Sequence, residues 1–155
     1  VRGVLGRFFL GSHRGLEVDV HDARDNPVLS LTRRPFFVFS DLRVEGADGS
    51  LLGHVRRRFA FLWKRYDLED ARGRVFARIS SPPWRPWTFP ILDLQGRPVA
   101  CLTKEWGGLL REAYTDADRF TLALGERPWA AAQAAVLFAA ALSIDMDFFE
   151  RNHSS

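Results

Sequence analysis

The sequence predicts a mainly β fold, in which an antiparallel sheet closes around one buried C-terminal helix. Two observations predict it: a hairpin-like unit recurs four times, and one long uncharged apolar run follows the last unit. The composition is that of a folded chain, since 46% of the residues are hydrophobic and 26% are charged. With 155 residues, the chain has the length of a single domain over residues 1–155.

Four repeated units predict four β-hairpins over residues 16–106, after an N-terminal segment over residues 1–15. Each unit has strand-like residues on both sides of a turn that contains acidic and glycine-type residues. We place the turns at Asn26, Gly49, Gly73 and Gly96. Asn and Gly suit these positions because they tolerate a positive φ. The separations of 23, 24 and 23 residues indicate one repeated structural unit.

The pattern changes after the fourth hairpin. A linker and a last short strand, F-T-L-A-L, are predicted in residues 107–127, and a central helix and tail in residues 128–150. We expect Pro128 at the first helical position, because its missing N–H would be unpaired there. The helix is apolar on all sides, which is typical of a buried helix. Its predicted core side chains are Val136, Leu137, Phe138 and Leu142.

The apolar run is too short for a membrane span. Residues 129–144 are uncharged, and these 16 residues would extend about 24 Å as a helix, against about 30 Å for a bilayer core. A longer span would have to include charged neighbours such as Asp145 and Asp147, at about 2.5–3.5 kcal/mol each at mid-membrane. A buried helix is therefore favoured over membrane insertion.

Two motifs near the C-terminus identify a family. The segment K-E-W-G-G-L-L-R-E-A-Y-T-D-A-D-R-F occupies residues 104–120, and S-I-D-M-D-F-F-E occupies residues 143–150. They closely resemble the phospholipid scramblase family, of the tubby C-terminal-like and LURP-one-related superfamily. The resemblance implies a tubby-like closed barrel of about twelve strands around the helix. The family begins with another hairpin upstream, so we expect either an N-terminally truncated segment at residues 1–15 or a barrel with fewer strands here. The Arg-rich, Lys-poor composition fits a bacterial member.

The resemblance also implies a function. A scramblase-like protein associates with membranes of anionic phospholipid and assists lipid movement between leaflets, and is located in the cytoplasm or at the cytoplasmic face of the membrane. The formal charge of +3 and the pI near 9.6 agree with an anionic partner. The alternative is a soluble tubby-like module that binds phosphoinositide, nucleic acid or protein without scrambling. We favour phospholipid over nucleic acid, and the sequence leaves the oligomeric state open.

Catalytic and metal sites have little support. The histidines form no H-E-x-x-H motif and no G-x-S-x-G motif occurs, so we expect no enzymatic activity. The resemblance implies calcium as a cofactor, with Asp116 and Asp118 as ligands. Calcium takes six to eight oxygen atoms, and Arg127 stands where a bidentate Glu would be expected. The segment is either a weak calcium site or a turn that leads into the last strand.

Arginine beside aromatic residues marks the predicted membrane contact. Animal members of the family carry cysteine clusters that are thought to be lipidated. This chain has a single cysteine, and aromatic residues occupy the approximate positions of those clusters. Guanidinium groups bind lipid phosphate, and indole rings lie at headgroup level. The predicted lipid-binding residues are Arg56, Arg57, Arg58, Trp63, Trp84, Arg85 and Trp87. The alternative is that the rings pack on the barrel and the arginines are solvated.

The carboxylates at the end of the helix also need a partner. Asp145 and Asp147 lie where the helix dipole disfavours negative charge by about 0.3–1 kcal/mol. We expect either a structural partner such as Arg111 or a bound cation.

Overall fold

A computed structural model describes residues 5–9, 16–33, 41–58, 64–81, 84, 87–105 and 119–152. In these residues the chain forms ten strands and one helix. The elements are β1 (Leu5–Phe9), β2 (Leu16–His21), β3 (Pro27–Arg33), β4 (Asp41–Gly46), β5 (Leu51–Arg58), β6 (Lys64–Asp70), β7 (Val75–Ser81), β8 (Thr88–Leu92), β9 (Pro98–Glu105), β10 (Arg119–Ala123) and α1 (Ala131–Asn152). The mainly β class with a C-terminal helix is confirmed.

The ten strands form one antiparallel sheet in which each strand pairs with its neighbours in the chain, from β1 to β10. In the strands whose side chains are described, alternate residues face the core, as in Leu29 and Leu31 of β3. The strands described here include β1, which the sequence patterns did not predict. Among the described strand pairs, none joins β10 back to β1. Closure into a barrel therefore stays a prediction.

The four repeated units are four hairpins with the same turn. In the third, Asp70 N–H donates to the carbonyl of Arg74 at 2.9 Å, and Gly73 N–H donates back to the carbonyl of Asp70 at 2.9 Å. The other three turns repeat this pattern. A register shift lies beside each turn, as expected of a bulge that follows a tight turn. In these four turns the residues with positive φ are Asp25 (64°), Gly49 (77°), Gly73 (74°) and Gly96 (80°).

The prediction of Asn26 as the turn residue with positive φ was wrong by one position. Asp25 takes that conformation, so the separations become 24, 24 and 23 residues. Asn26 is instead held at the start of the outgoing strand, because its backbone N–H and side-chain amide both donate to the Asp22 carboxylate, at 2.9 and 3.0 Å. Asp tolerates the left-handed region almost as well as Asn, so composition did not separate the two.

The helix begins at Ala131, so the prediction of Pro128 at the first helical position was also wrong. Ala130 is the cap: its carbonyl accepts from Ala134 N–H at 2.9 Å, and its own N–H donates to Gln133 Oε1 at 3.3 Å. Gln133 thus supplies one half of a capping box. Trp129 Nε1 donates to the carbonyl of Leu124 at 2.8 Å. This hydrogen bond ties the segment before the helix to the end of β10.

The helix packs against β4, β5 and β6 and also contacts β10. Val136 and Leu137 are fully buried, while Phe138 and Leu142 are partly buried against the core. The first turn of α1 is more exposed than the all-apolar pattern predicted, since Ala131 is exposed. No helix in the described part of the chain combines the length and the apolarity that crossing a membrane requires.

Candidate membrane-binding end and basic groove

The antiparallel order places the four short turns at one end of the sheet. At the other end, which we call the connection end, lie the strand ends that flank the longer connections. These strand ends are Phe9, Leu16, Arg33, Asp41, Arg58, Lys64, Ser81, Thr88, Glu105 and Arg119. The Arg- and aromatic-rich sequences at residues 33–37, 56–63 and 84–87 all adjoin this end. The fold therefore brings to one end of the sheet the strand ends that border these sequences, which are about 25 residues apart in the chain.

The three consecutive arginines lie on a strand rather than in a loop. Because side chains alternate along β5, Arg56 and Arg58 lie on the outer face, and half-buried Arg57 follows Val55 on the inner face. Arg56 Nε lies 3.2 Å from Glu69 Oε2, as an ion pair rather than a directed hydrogen bond. Arg58 Nε donates to Asp67 Oδ2 at 2.7 Å. Both outer arginines are thus already paired with carboxylates of β6.

The two described tryptophans of this end differ. Trp84 is 70% exposed, the largest exposure among the described large hydrophobic residues. Trp87 is half-buried, and its carbonyl accepts from Lys104 N–H at 2.9 Å. Trp84 is therefore the described aromatic residue best placed to contact a membrane, a distinction that the sequence did not show. The predicted residues Trp63 and Arg85 lie outside the described residues.

A groove of about 740 Å³ opens on the outer face beside the short pairing of β7 with β8. We call it the basic groove, and its polar lining includes Arg58, Arg65, Asp67, Arg78 and Ser80. The β8–β9 turn forms the facing wall with Leu94 and Gly96. The sequence alone does not single out Arg65 and Arg78, because only the strand register shows that they and Arg58 share a surface.

The arginines of the basic groove surround one buried carboxylate. Asp67 accepts from Arg58 at 2.7 Å, and its other oxygen lies 3.4 Å from Arg78 Nε. The hydrogen bond and the charge of Asp67 raise the pKa of Arg58 above its ordinary value. Arg65 lies opposite Arg58 in the pairing of β5 with β6. The groove thus combines three guanidinium groups with a carboxylate that two of them share.

A buried lysine occupies the inner face near the connection end. Lys104 follows the buried residues Ala100 and Leu102 on β9, and its ammonium group lies 3.8 Å from Asp145 Oδ1 of the helix. Asp145 therefore has a structural partner. The predicted partner Arg111 lies outside the described residues.

The predicted calcium ligands Asp116 and Asp118 also lie outside the described residues. Within the part of the chain that the structure describes, no three His, Cys, Asp or Glu side chains lie together as metal ligands would. The calcium site stays a prediction.

Comparison with known proteins agrees with the C-terminal motifs. A family model described as Scramblase matches residues 2–151. The chain belongs to the scramblase family. The scramblase-family chain is 28% identical over 185 residues to Altered inheritance rate of mitochondria protein 25 of Saccharomyces cerevisiae, covering 94% of this chain and 56% of that protein.

A second relative is a protein of Schizosaccharomyces pombe that is named as a phospholipid scramblase family protein. It is 25% identical over 182 residues, which cover 96% of this scramblase-family chain and 48% of the relative. The chain thus spans about half the length of the curated relatives it matches. No solved structure gives a significant match.

Proposed function

We propose that this scramblase-family domain binds membranes that contain anionic phospholipid, with its connection end toward the bilayer, and assists lipid movement between the leaflets. It would act at the cytoplasmic face, as a lipid-binding protein rather than an enzyme. The observation that supports the proposal is the convergence of the Arg- and aromatic-flanked strand ends at one end of the sheet. Family membership supports the lipid as the partner.

The chemistry of the connection end suits a membrane surface. An indole ring is amphipathic and is favoured at the level of the lipid headgroups. The apolar surface of Trp84, which is exposed to water, would be buried there. Each basic residue close to an anionic surface adds about 1 kcal/mol of attraction. Arg56 and Arg58 are each about half exposed, at 48% and 57%, so they keep surface available for phosphate despite their carboxylate partners.

Vesicle cosedimentation tests the membrane contact. We expect wild type to bind vesicles of phosphatidylcholine with phosphatidylserine more strongly than vesicles of phosphatidylcholine alone. Trp84→Ala should weaken binding several-fold without unfolding the chain, because the side chain is 70% exposed. Val28→Ala is the matched control, since Val28 is 44% exposed and lies beside a turn at the opposite end of the sheet. Equal binding of wild type and Trp84→Ala would show that Trp84 does not contribute to the membrane contact.

A dithionite assay on reconstituted protein tests lipid movement, with fluorescent phospholipid in both leaflets. We propose that dithionite bleaches a larger fraction of the fluorescence than the outer leaflet alone contains. If Asp116 and Asp118 are calcium ligands, calcium should increase that fraction. Tight vesicle binding without exchange between leaflets would instead favour the soluble binding module. The Asp116→Asn/Asp118→Asn variant separates a calcium effect on the protein from an effect of calcium on the lipid.

A further inference from the structure

A histidine lies inside the charged cluster that holds one arginine of the proposed membrane contact. His54 is half-buried on the outer face of β5, and its Nδ1 lies 3.2 Å from Oδ1 of Asp41, the first residue of β4. The other carboxylate oxygen of Asp41 lies 3.8 Å from Arg56 Nε. One carboxylate at the connection end is therefore shared between an imidazole and a guanidinium group.

Two further charged residues face His54 from the neighbouring strands. Arg43 lies opposite it on β4, but Nε and Nη2 of Arg43 both contact Glu45, at 2.9 and 2.8 Å. Glu69 lies opposite it on β6, where it is buried with Oε2 3.2 Å from Arg56 Nε. Arg43 is thus neutralised by its own partner, whereas Glu69 belongs to the same cluster as Arg56.

The net charge of this cluster depends on the imidazole. Among the described side chains around His54, Asp41 and Glu69 carry two negative charges against the one positive charge of Arg56 while the imidazole is neutral. Imidazole is the side chain that ordinarily changes its charge between about pH 5 and pH 8. When it is protonated, both ring nitrogens are donors, and Nδ1 is placed to donate a charged hydrogen bond to Asp41. The excess negative charge is then cancelled, and Arg56 keeps Glu69 as its main partner.

This change of charge takes place beside the surface assigned to the membrane. Asp41 lies at the connection end, and Arg56 is one of the two outer arginines proposed to contact lipid phosphate. A net negative charge at this point opposes an anionic surface. Its loss adds an attraction of the same size as that of one added basic residue.

We propose that His54 is a pH-sensitive switch for membrane binding. Its protonation draws Asp41 away from Arg56 and strengthens binding of the connection end to anionic phospholipid. The inference rests on the membrane contact proposed above and adds the regulation of that contact. The switch acts through charge and requires no change of fold.

Vesicle cosedimentation at two pH values tests the switch. Vesicles of phosphatidylcholine with phosphatidylglycerol are the probe, because their phosphodiester charge is constant in this range. At about pH 7.5 and about pH 5.5, which bracket the ordinary imidazole pKa of about 6.5, wild type should bind about fivefold more tightly at the lower value. His54→Gln should bind equally at both values, because glutamine can still donate to Asp41 but carries no charge.

His21→Gln is the matched control. His21 also has an aspartate partner, with Nδ1 3.1 Å from Asp25 Oδ1, but it lies beside a turn at the opposite end of the sheet. This variant should keep the wild-type response to pH. Asp41→Asn tests the partner: at about pH 7.5 it should bind as tightly as wild type does at about pH 5.5, because the carboxylate that holds Arg56 is gone.

The outcomes separate the switch from the membrane contact. A pH response that His54→Gln loses and His21→Gln keeps, together with tight binding of Asp41→Asn at both pH values, would establish the switch. A response that persists in His54→Gln, or wild-type binding that is equal at both values, would overturn the switch and leave the membrane contact standing. Absence of vesicle binding by wild type at both values would overturn the membrane contact itself, and the switch with it.

Discussion

The ammonium group of Lys104 lies 3.8 Å from the Asp145 carboxylate and 5.3 Å from the ring centroid of Phe120. The lysine side chain is only 5% exposed, whereas that of Asp145 is 41% exposed. A buried cation is costly unless a partner compensates it. This cluster therefore joins β9, β10 and α1 through one charge, and it fixes the C-terminal part of the helix on the sheet.

We expect Asp145→Asn to lower the free energy of unfolding by about 1–2 kcal/mol. Breaking a fully buried pair costs about 3–5 kcal/mol, and the partial exposure of Asp145 reduces this value. In a Lys104→Met background, Asp145→Asn should have almost no further effect, because the buried charge is already gone. Urea denaturation of the two single variants and the double variant measures the coupling. An equal cost of Asp145→Asn in both backgrounds would show that the two residues act independently.

Gly53 sets how closely the helix approaches β5. A Cβ atom at this position would lie 2.2 Å from the carbonyl oxygen of Glu69 and 2.7 Å from Val136 Cγ2. We expect Gly53→Ala to cost about 3 kcal/mol or more, since backbone and helix would both have to shift. Thermal denaturation measures this loss.

Gly49→Ala is the matched control for backbone conformation. Gly49 has a φ of +77°, but a Cβ atom there would meet nothing within 4 Å. We expect a cost of about 1 kcal/mol, from the strain of a side chain in the left-handed region. If both substitutions cost the same, the close packing at Gly53 would not limit stability.

The repeated features were predictable from the sequence, and the surfaces were not. Turn spacing predicted the hairpins, and the apolar run predicted the helix, because periodicity and breaker residues act locally. The groove depends on the register that places Arg58, Arg65 and Arg78 side by side, and the register is fixed by turns and bulges together. Lys104 stands at an inner position of β9, but its pairing with Asp145 requires the three-dimensional packing of the helix.

The aspartates of the turns contribute to the way in which the free energy of unfolding changes at low pH. Hydrogen bonds from Arg74 and Arg72 hold the pKa of Asp70 below its ordinary value of 3.8, despite a contribution of burial that would raise it. Because the pKa is lower in the folded state, the stabilisation is fully present above pH 3.8 and is lost as the pH falls below that value. Asp22 behaves in the same way, mainly through hydrogen bonds from Asn26.

We therefore expect Asp70→Asn to be less stable than wild type at pH 7 and to lose less stability on acidification. The substitution keeps an oxygen that can accept the turn N–H groups, but it removes the charge that titrates. Urea denaturation at a series of pH values from 7 down to about 2 measures the difference. If wild type and Asp70→Asn lose the same free energy of unfolding on acidification, Asp70 does not contribute to the pH dependence.

Salt separates the two interactions that are proposed at the membrane. Attraction between exposed guanidinium groups and lipid phosphate is screened, since the Debye length falls from about 10 Å at 0.1 M salt to about 3 Å at 1 M. Insertion of an indole ring depends on apolar area and persists in salt. We expect added salt to weaken vesicle binding of wild type to a residual level, and Trp84→Ala to lose that residual binding. Binding of Trp84→Ala that equals wild type at high salt would assign the residual contact to another part of the chain.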